Sequence, residues 1–280
     1  EAPVIMPKPD LVALTGGYRR IPVMQIGADV FCDTAIILRE LEARYPLYSL
    51  KLPGHEGLAQ IVAGWADGRW FQSSVAVIFG EMGDKVPADF IKDREALSGR
   101  PFDIEAMKAA APMMRDQWRA RLMLLEERLA GGKGAGSGNY LLGVKPGLVD
   151  VHAYMNVWWM KQAVPEFVNA CFESAPLTAA WYRRLKDAEG QTPETISGQE
   201  AVRIAKAAAP RLVAATTRNE PQEFAPGEKV AVAPDDYGRD WVVGELVHAD
   251  SQRVILQRFT PEAETIHLHF PRAGFLVRRA

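Results

Sequence analysis

Tyr18-Arg-Arg-Ile-Pro-Val-Met-Gln-Ile-Gly27-Ala-Asp-Val-Phe-Cys-Asp33-Thr-Ala-Ile-Ile-Leu-Arg-Glu-Leu41 is the stretch whose reading decides the fold. A strand from Pro22 to Ile26 turns at Gly27-Ala28 into a second short strand, Asp29 to Phe31. Proline is admitted at the first position of a strand, where its missing N–H costs no ladder bond. Asp33 and Thr34 are both cap-type residues, and Ile37, Leu38 and Leu41 follow at helical spacing. A helix begins there, and its free N–H groups and partial positive charge suit a carboxylate.

The ordered set of an Ile-Pro pair, a hairpin, an acid beside a hydroxyl and an amphipathic helix resembles the second half of the thioredoxin-like domain of glutathione transferases. The resemblance implies a cis bond at Pro22. It implies that the backbone of Ile21 pairs with the cysteinyl unit of glutathione, and that Asp33 and Thr34 grip the γ-glutamyl end. The family usually shows Glu-Ser at this helix start; Asp-Thr is equivalent in chemistry with a shorter acid. By the same resemblance Arg20 pairs with the glycyl carboxylate, a solvated arginine being the equal alternative. An ordinary hairpin followed by a capped helix explains the stretch without any ligand. The family's first strand and helix, with its catalytic Ser, Cys or Tyr, are expected upstream of Glu1, so no catalytic residue is assigned. Ala2 to Met6 then reads as the second strand.

The chain has 280 residues, 48% of them hydrophobic, with a formal net charge of −2. That length suggests about two domains. The charge carries no basic face for nucleic acid. Two cysteines, Cys32 and Cys171, make no disulfide framework. No signal peptide opens the chain, and its apolar runs are too short to span a bilayer. The expectation is a cytoplasmic protein with no membrane or nucleic-acid partner.

Leu11, Val12 and Leu14 form a short helical segment closed by Gly16-Gly17. Tyr45-Pro46 ends the helix that starts at Asp33. Leu58, Ile61, Val62 and Trp65 open a helix running to about Phe79, weakened by Gly64 and Gly68. Lys85 to Pro101 reads as a polar connection. Met107, Ala111, Met114, Trp118, Leu122, Leu125 and Leu129 then make a buried stripe, with Pro112 marking a start or kink. Gly131 to Gly138 is a linker; it lacks the spacing of a phosphate loop. Tyr140 to Tyr154 resembles the family segment that enters a buried helix through a capping box. Gly147 stands at the cap and Asp150 three later, so half of the reciprocal box can form. Its role is structural. Pro176 to Leu185 resembles the family's next helix, and Ser197 to Glu200 is another capping box.

From about Glu220 the pattern changes to short β-type runs: Lys229–Ala233, Trp241–His248, Arg253–Arg258, Thr265–Phe270 and Phe275–Arg278. The expected fold class is α/β plus all-α, like the glutathione transferases, with a small C-terminal all-β SH3-like module. The expected domains are residues 1–50 (partial thioredoxin-like), 51–219 (all-helical) and 220–280 (β module). The tail, too small to be stable alone, is expected to dock on the helical domain. The resemblance covers about residues 1–215 and says nothing of the tail.

Trp65, Trp70, Tyr154, Trp158 and Trp159 are read as lining an apolar pocket, with helical core as the competing account. Cys32 reads as a small buried residue. His267 and His269 share one face of a strand, and no third ligand lies at suitable spacing, so no metal site is expected. The resemblance implies transfer of glutathione thiolate to a small apolar electrophile by a homodimer. The alternative is a non-catalytic glutathione-binding or interaction scaffold whose C-terminal β module recruits a partner.

Overall fold

The alternation that marks the C-terminal strands continues into the hairpin, and the two together make one sheet. The computed structural model describes residues 2–131, 138–188, 190, 193–213 and 222–280. The β strands are β1 (Val23–Ile26), β2 (Asp29–Cys32), β3 (Lys229–Pro234), β4 (Val242–Ala249), β5 (Arg253–Thr260), β6 (Glu264–Pro271) and β7 (Phe275–Arg279). Their order across the sheet is β1-β2-β6-β5-β4-β3-β7. The five C-terminal strands pair antiparallel as expected of meandering hairpins. The join between β2 and β6 is parallel, with Asp29 opposite His267, Val30 opposite Leu268 and Phe31 opposite His269.

Side chains alternate across a strand, so each strand serves two faces. Val30, Val232, Leu256, Leu268 and Phe270 fall on one face and share a core with Leu14 and Ala205. These last two come from α1 (Pro9–Thr15) and α10 (Gly198–Lys206). The other face carries Asp29, Phe31, Ile255, His267 and His269, all buried. Helix α2 (Thr34–Arg44) packs against β1, β2 and β6.

The chain divides into two compact units, residues 1–44, 88–102 and 193–280 forming one and residues 45–87 with 103–192 the other. This differs from the expected three consecutive segments 1–50, 51–219 and 220–280. The physical reason is the β2–β6 ladder, which puts the C-terminal strands into the unit of the hairpin. The expected polar connection Lys85 to Pro101 contains a helix, α5 (Ala88–Ser98), which belongs to that same unit. Its Asp93 is buried and accepts the Met6 N–H at 2.9 Å and Arg94 at 2.6 Å, and it pairs with Arg19. Lys8 Nζ donates to the Arg19 carbonyl at 3.1 Å. Residues 2–6 are irregular, not the expected strand. Pro3 and Pro7 withdraw donors from any ladder, and the segment is pinned to α5 instead, with Val4 O accepting from Arg94.

The second unit is helical: α3 (Glu56–Trp65), α4 (Phe71–Met82), α6 (Ile104–Ala130), α7 (Leu148–Ala163), α8 (Pro165–Ser174) and α9 (Pro176–Asp187). The buried stripe of α6 falls on Ala111, Trp118, Leu122, Leu125 and Leu129, and Pro112 lies inside the helix. The helix expected from Leu58 to Phe79 is interrupted by a π-helical turn, Ala66–Trp70, in which Gly68 leaves helical geometry. Asn156 Nδ2 donates to the Ala66 carbonyl at 3.0 Å, which also accepts the Phe71 N–H. Residues 132–137 of the glycine-rich loop lie outside the described residues, as do Glu220 and Pro221 of the linker ahead of β3. No helix among the described residues is long and apolar enough to cross a membrane.

Asp150 organises the start of α7. One carboxylate oxygen accepts the Gly147 N–H at 2.8 Å. The other accepts the Leu141 N–H at 2.8 Å and the Trp181 indole N–H at 2.7 Å. A Cβ at Gly147 would meet the tip of the Leu52 side chain, Cδ1, at 2.9 Å. Burial raises the Asp150 carboxyl above its usual value, against the opposing pull of its three donors.

Asp150→Ala should cost about 3 kcal/mol or more, because it leaves three buried donors without an acceptor. Chemical denaturation of the full chain checks this, and Asp150→Asn, which keeps one acceptor oxygen, should lose less. A second expectation concerns acid stability. Burial alone would raise the Asp93 carboxyl, but Met6 N–H, Arg94 and Arg19 hold it below the usual range. Its contribution is therefore present above the unfolded value of about 3.9 and is lost as pH falls through the lower folded value. Asp93→Asn should cost about 1–3 kcal/mol at neutral pH, the scale of bonds to a charged acceptor. The gap in melting temperature between variant and parent should close below that unfolded value.

Candidate functional site

The loop between α1 and β1 holds the first candidate residues, and each of its side chains has a separate anchor. Helix α1 ends at Gly16 in the left-handed region. Thr15 Oγ1 donates to the Tyr18 carbonyl at 2.7 Å, and the buried Tyr18 ring packs on Phe270 and Phe275. Arg19 turns to Asp93. Arg20 turns the other way, to Asp236 Oδ1 at 2.5 Å and to the Tyr237 carbonyl in the β3–β4 loop. Its guanidinium lies 4.0 Å from the centre of the Tyr237 ring. Arg20 is therefore not the free, solvated cation of the simpler expectation. The Ile21–Pro22 bond is cis, and β1 follows directly.

Asp33 is the point of strain. Its φ is 95°, a region that non-glycine residues rarely occupy and that costs about 1–3 kcal/mol. It immediately precedes α2, gives its carbonyl to the Ile37 N–H at 3.1 Å and accepts the Ala35 N–H on its carboxylate at 2.9 Å. Burial raises its carboxyl above the usual range, and nearby Asp236 adds to this; Ala35 N–H and the Arg20 charge oppose it. Thr34 opens α2 and is exposed. Arg20, Ile21, Pro22, Asp33 and Thr34 thus lie in one unit, and the Asp33 carboxyl feels the charges of Arg20 and Asp236. Asp236 was invisible to sequence reasoning because nothing in the pattern ties a β3–β4 turn to residue 20.

The aromatic residues belong to the helical unit and do not form one surface. Trp70 has no exposed area and sits between Trp65, 4.9 Å away between ring centres, and Trp118, 6.0 Å away. Tyr154 stacks on Tyr182 at 5.3 Å and meets Trp181 edge-on. Trp159 stacks on Phe71 at 5.2 Å. Trp158 is exposed. Trp70 is core, which is the competing account of the sequence reading. Cys32 is fully buried, and burial pushes its thiol well above the usual thiol range, so it supplies no thiolate.

Sequence reasoning found no third ligand for His267 and His269. The fold supplies a neighbour from far along the chain: Asp29 Oδ1 lies 2.7 Å from His269 Nε2 and 3.9 Å from His267 Nδ1. The expectation of no metal-ligand set is corrected to that extent, since a parallel strand pair joins residues that spacing along the chain could not.

A family described as a domain of unknown function (DUF7962) matches residues 77–194. No curated protein matches the chain. Among solved structures, a GST-like protein from Pseudomonas syringae is 30% identical, with a TM-score of 0.74 over 99% of this chain and 89% of that one. A glutathione S-transferase from Rhodospirillum rubrum is 16% identical, with a TM-score of 0.47 over 67% of this chain and 79% of that one. Glutathione transferase F7 from Populus trichocarpa is 15% identical, with a TM-score of 0.45 over 64% and 75%. The first of these matches is long enough to take in the C-terminal strands as well as the hairpin and helices. With the fold and this match together, the chain belongs to the family of GST-like proteins.

Proposed function

We propose that this chain binds glutathione at the Arg20-to-Thr34 end of its first unit and presents the thiol to an apolar electrophile. The observation that carries the reading is Asp33: a carboxylate held at a helix start by a strained backbone, with one backbone N–H on it and a raised pKa. Such a group is incomplete without a cation. The γ-glutamyl ammonium supplies one, and the neighbouring carboxylate of the same unit takes the Thr34 N–H and hydroxyl. The backbone of Ile21 pairs with the cysteinyl unit. Conjugation then breaks the S–H bond, the proton passing to solvent, and forms a carbon–sulfur bond as the electrophile's leaving group departs with its bonding pair, halide in the case of an aromatic halide. A homodimer in the cytoplasm is the proposed state.

The second reading, a glutathione-binding or interaction scaffold without turnover, is favoured by one specific contact. Arg20, the proposed partner of the glycyl carboxylate, is already engaged by Asp236. Turnover of a generic aromatic halide by the intact protein, against saturable glutathione binding with none, separates the two.

Calorimetry on Asp33→Ala should show glutathione affinity weakened by about 1.5–3 kcal/mol, the scale of a hydrogen bond to a charged group. Unchanged affinity in a folded variant removes this site. Because Asp33 must be ionised to hold an ammonium and its pKa is raised, parental affinity should fall as pH drops through that raised value. Asp33→Asn should lose this dependence. Asp236→Ala should free Arg20 and tighten binding, by up to about 1 kcal/mol for a partly exposed pair; weaker binding would show that Asp236 supports the site and does not compete for it. Light scattering at micromolar concentration tests the dimer.

A further inference from the structure

We propose that Asp29, His267 and His269 form a site for a divalent first-row transition-metal ion, with zinc as the ion of best fit. The three side chains are 5%, 8% and 2% exposed, and their donor atoms lie within 4.8 Å of one another. The ladder dictates their meeting: His267 and His269 are two apart on β6 and share a face, and Asp29 stands opposite His267 on β2. Around zinc at about 2.0–2.2 Å from each donor, neighbouring donors lie roughly 3.3 Å apart. The distances from Asp29 Oδ1, 2.7 Å to His269 and 3.9 Å to His267, bracket that value. The two imidazole donors lie within 4.8 Å of each other, so binding would draw the three groups inward.

Two independent observations point to a ligand. The first is an orphan. His267 Nδ1 is buried and has no hydrogen-bond partner among the described residues. A buried polar nitrogen without a partner is costly and rare, and this one faces the carboxylate and the second imidazole. The second is the support around the donors, of the kind that orients metal ligands. The Arg211 backbone N–H holds the other oxygen of Asp29 at 2.9 Å. The His269 ring is stacked on Phe31 at 4.3 Å. The His267 backbone N–H is fixed to the Ala28 carbonyl at 3.0 Å. Two imidazoles and one carboxylate suit zinc, iron(II) or cobalt(II) and do not suit magnesium or calcium, which take oxygen ligands. The ion would clamp the hairpin to the C-terminal strands and replace the Asp29–His269 hydrogen bond with two bonds to nitrogen and one to oxygen.

The test uses the full chain, stripped with chelator and titrated with zinc sulfate by calorimetry, with magnesium as control. One equivalent of zinc should bind and raise the melting temperature, while magnesium does neither. Zinc-edge absorption of the loaded parent should show two imidazole donors, a readout that needs no variant. Cobalt(II) should give visible ligand-field bands. His267→Ala should weaken zinc by about tenfold or more, since even outer partners of a metal site act on that scale. The proposal is overturned if the folded parent takes up no zinc, the three groups then being a hydrogen-bonded cluster only. It is equally overturned if uptake survives unchanged in His267→Ala, or if it is lost instead in His248→Ala, which breaks the part-buried His248–Asp250 pair.

Discussion

The parallel pairing of β2 with β6 is the constraint on which the first unit depends. Residues 29–31 meet residues 267–269 across more than two hundred positions of chain, and only this ladder turns a two-stranded hairpin into part of a seven-stranded sheet. A two-stranded hairpin is marginal alone, and so is a small five-stranded unit. Joined, they share a continuous core from Val30 through Leu268 to Val232. The register matters as much as the pairing. A slip of β2 by one residue against β6 would move Asp29 and Phe31 into the apolar face and Val30 out of it.

The same join makes the C-terminal strands part of the candidate site. Arg19 and Arg20 are adjacent yet answer to different regions: Arg19 to Asp93 on α5, Arg20 to Asp236 and Tyr237 between β3 and β4. The loop ahead of β1 is held from two sides by segments far apart in sequence. The C-terminal strands are therefore not a detachable appendage. The match to the Pseudomonas syringae GST-like protein over 99% of the chain agrees with one architecture that includes them.

What could be read from the sequence was what depends on local chemistry. The hairpin, the helix start at Asp33, the α6 stripe and the five C-terminal strands all carry their signal within a few residues. Asp150 was legible as a capping carboxylate, although its bonds to Leu141 and Trp181 were not, because those donors arrive through tertiary packing. The strand expected at Ala2 to Met6 failed because its apolar residues were weighed without its prolines. Helix α5 was missed because Lys92, Asp93, Arg94 and Glu95 make it look solvated, whereas Asp93 points inward to Met6 and Arg19. The spacing of His267 and His269 shows that they share a strand face and nothing more. Alternation identifies the two faces of a strand; it does not say whether the second face meets water or α2.

Three carboxylates withdrawn from solvent show how structure separates a scaffold group from a reactive one. Asp150 has three donors, two backbone N–H groups and an indole, and acts as a structural centre. Asp29 receives the Arg211 N–H and His269, but its neighbour His267 keeps an orphaned nitrogen. The cluster has one coordinating partner too few. Asp33 is the least complete. It has the Ala35 N–H, a strained backbone and a carboxyl raised by burial, with the charge of Arg20 shared with Asp236. Burial without full pairing disfavours the charged form. A group kept in that condition by its fold is one whose charge a cationic ligand can complete. Counting donors therefore orders the three carboxylates: Asp150 has three, Asp29 two and the half-buried Asp33 one. The proposed glutathione contact rests on the last.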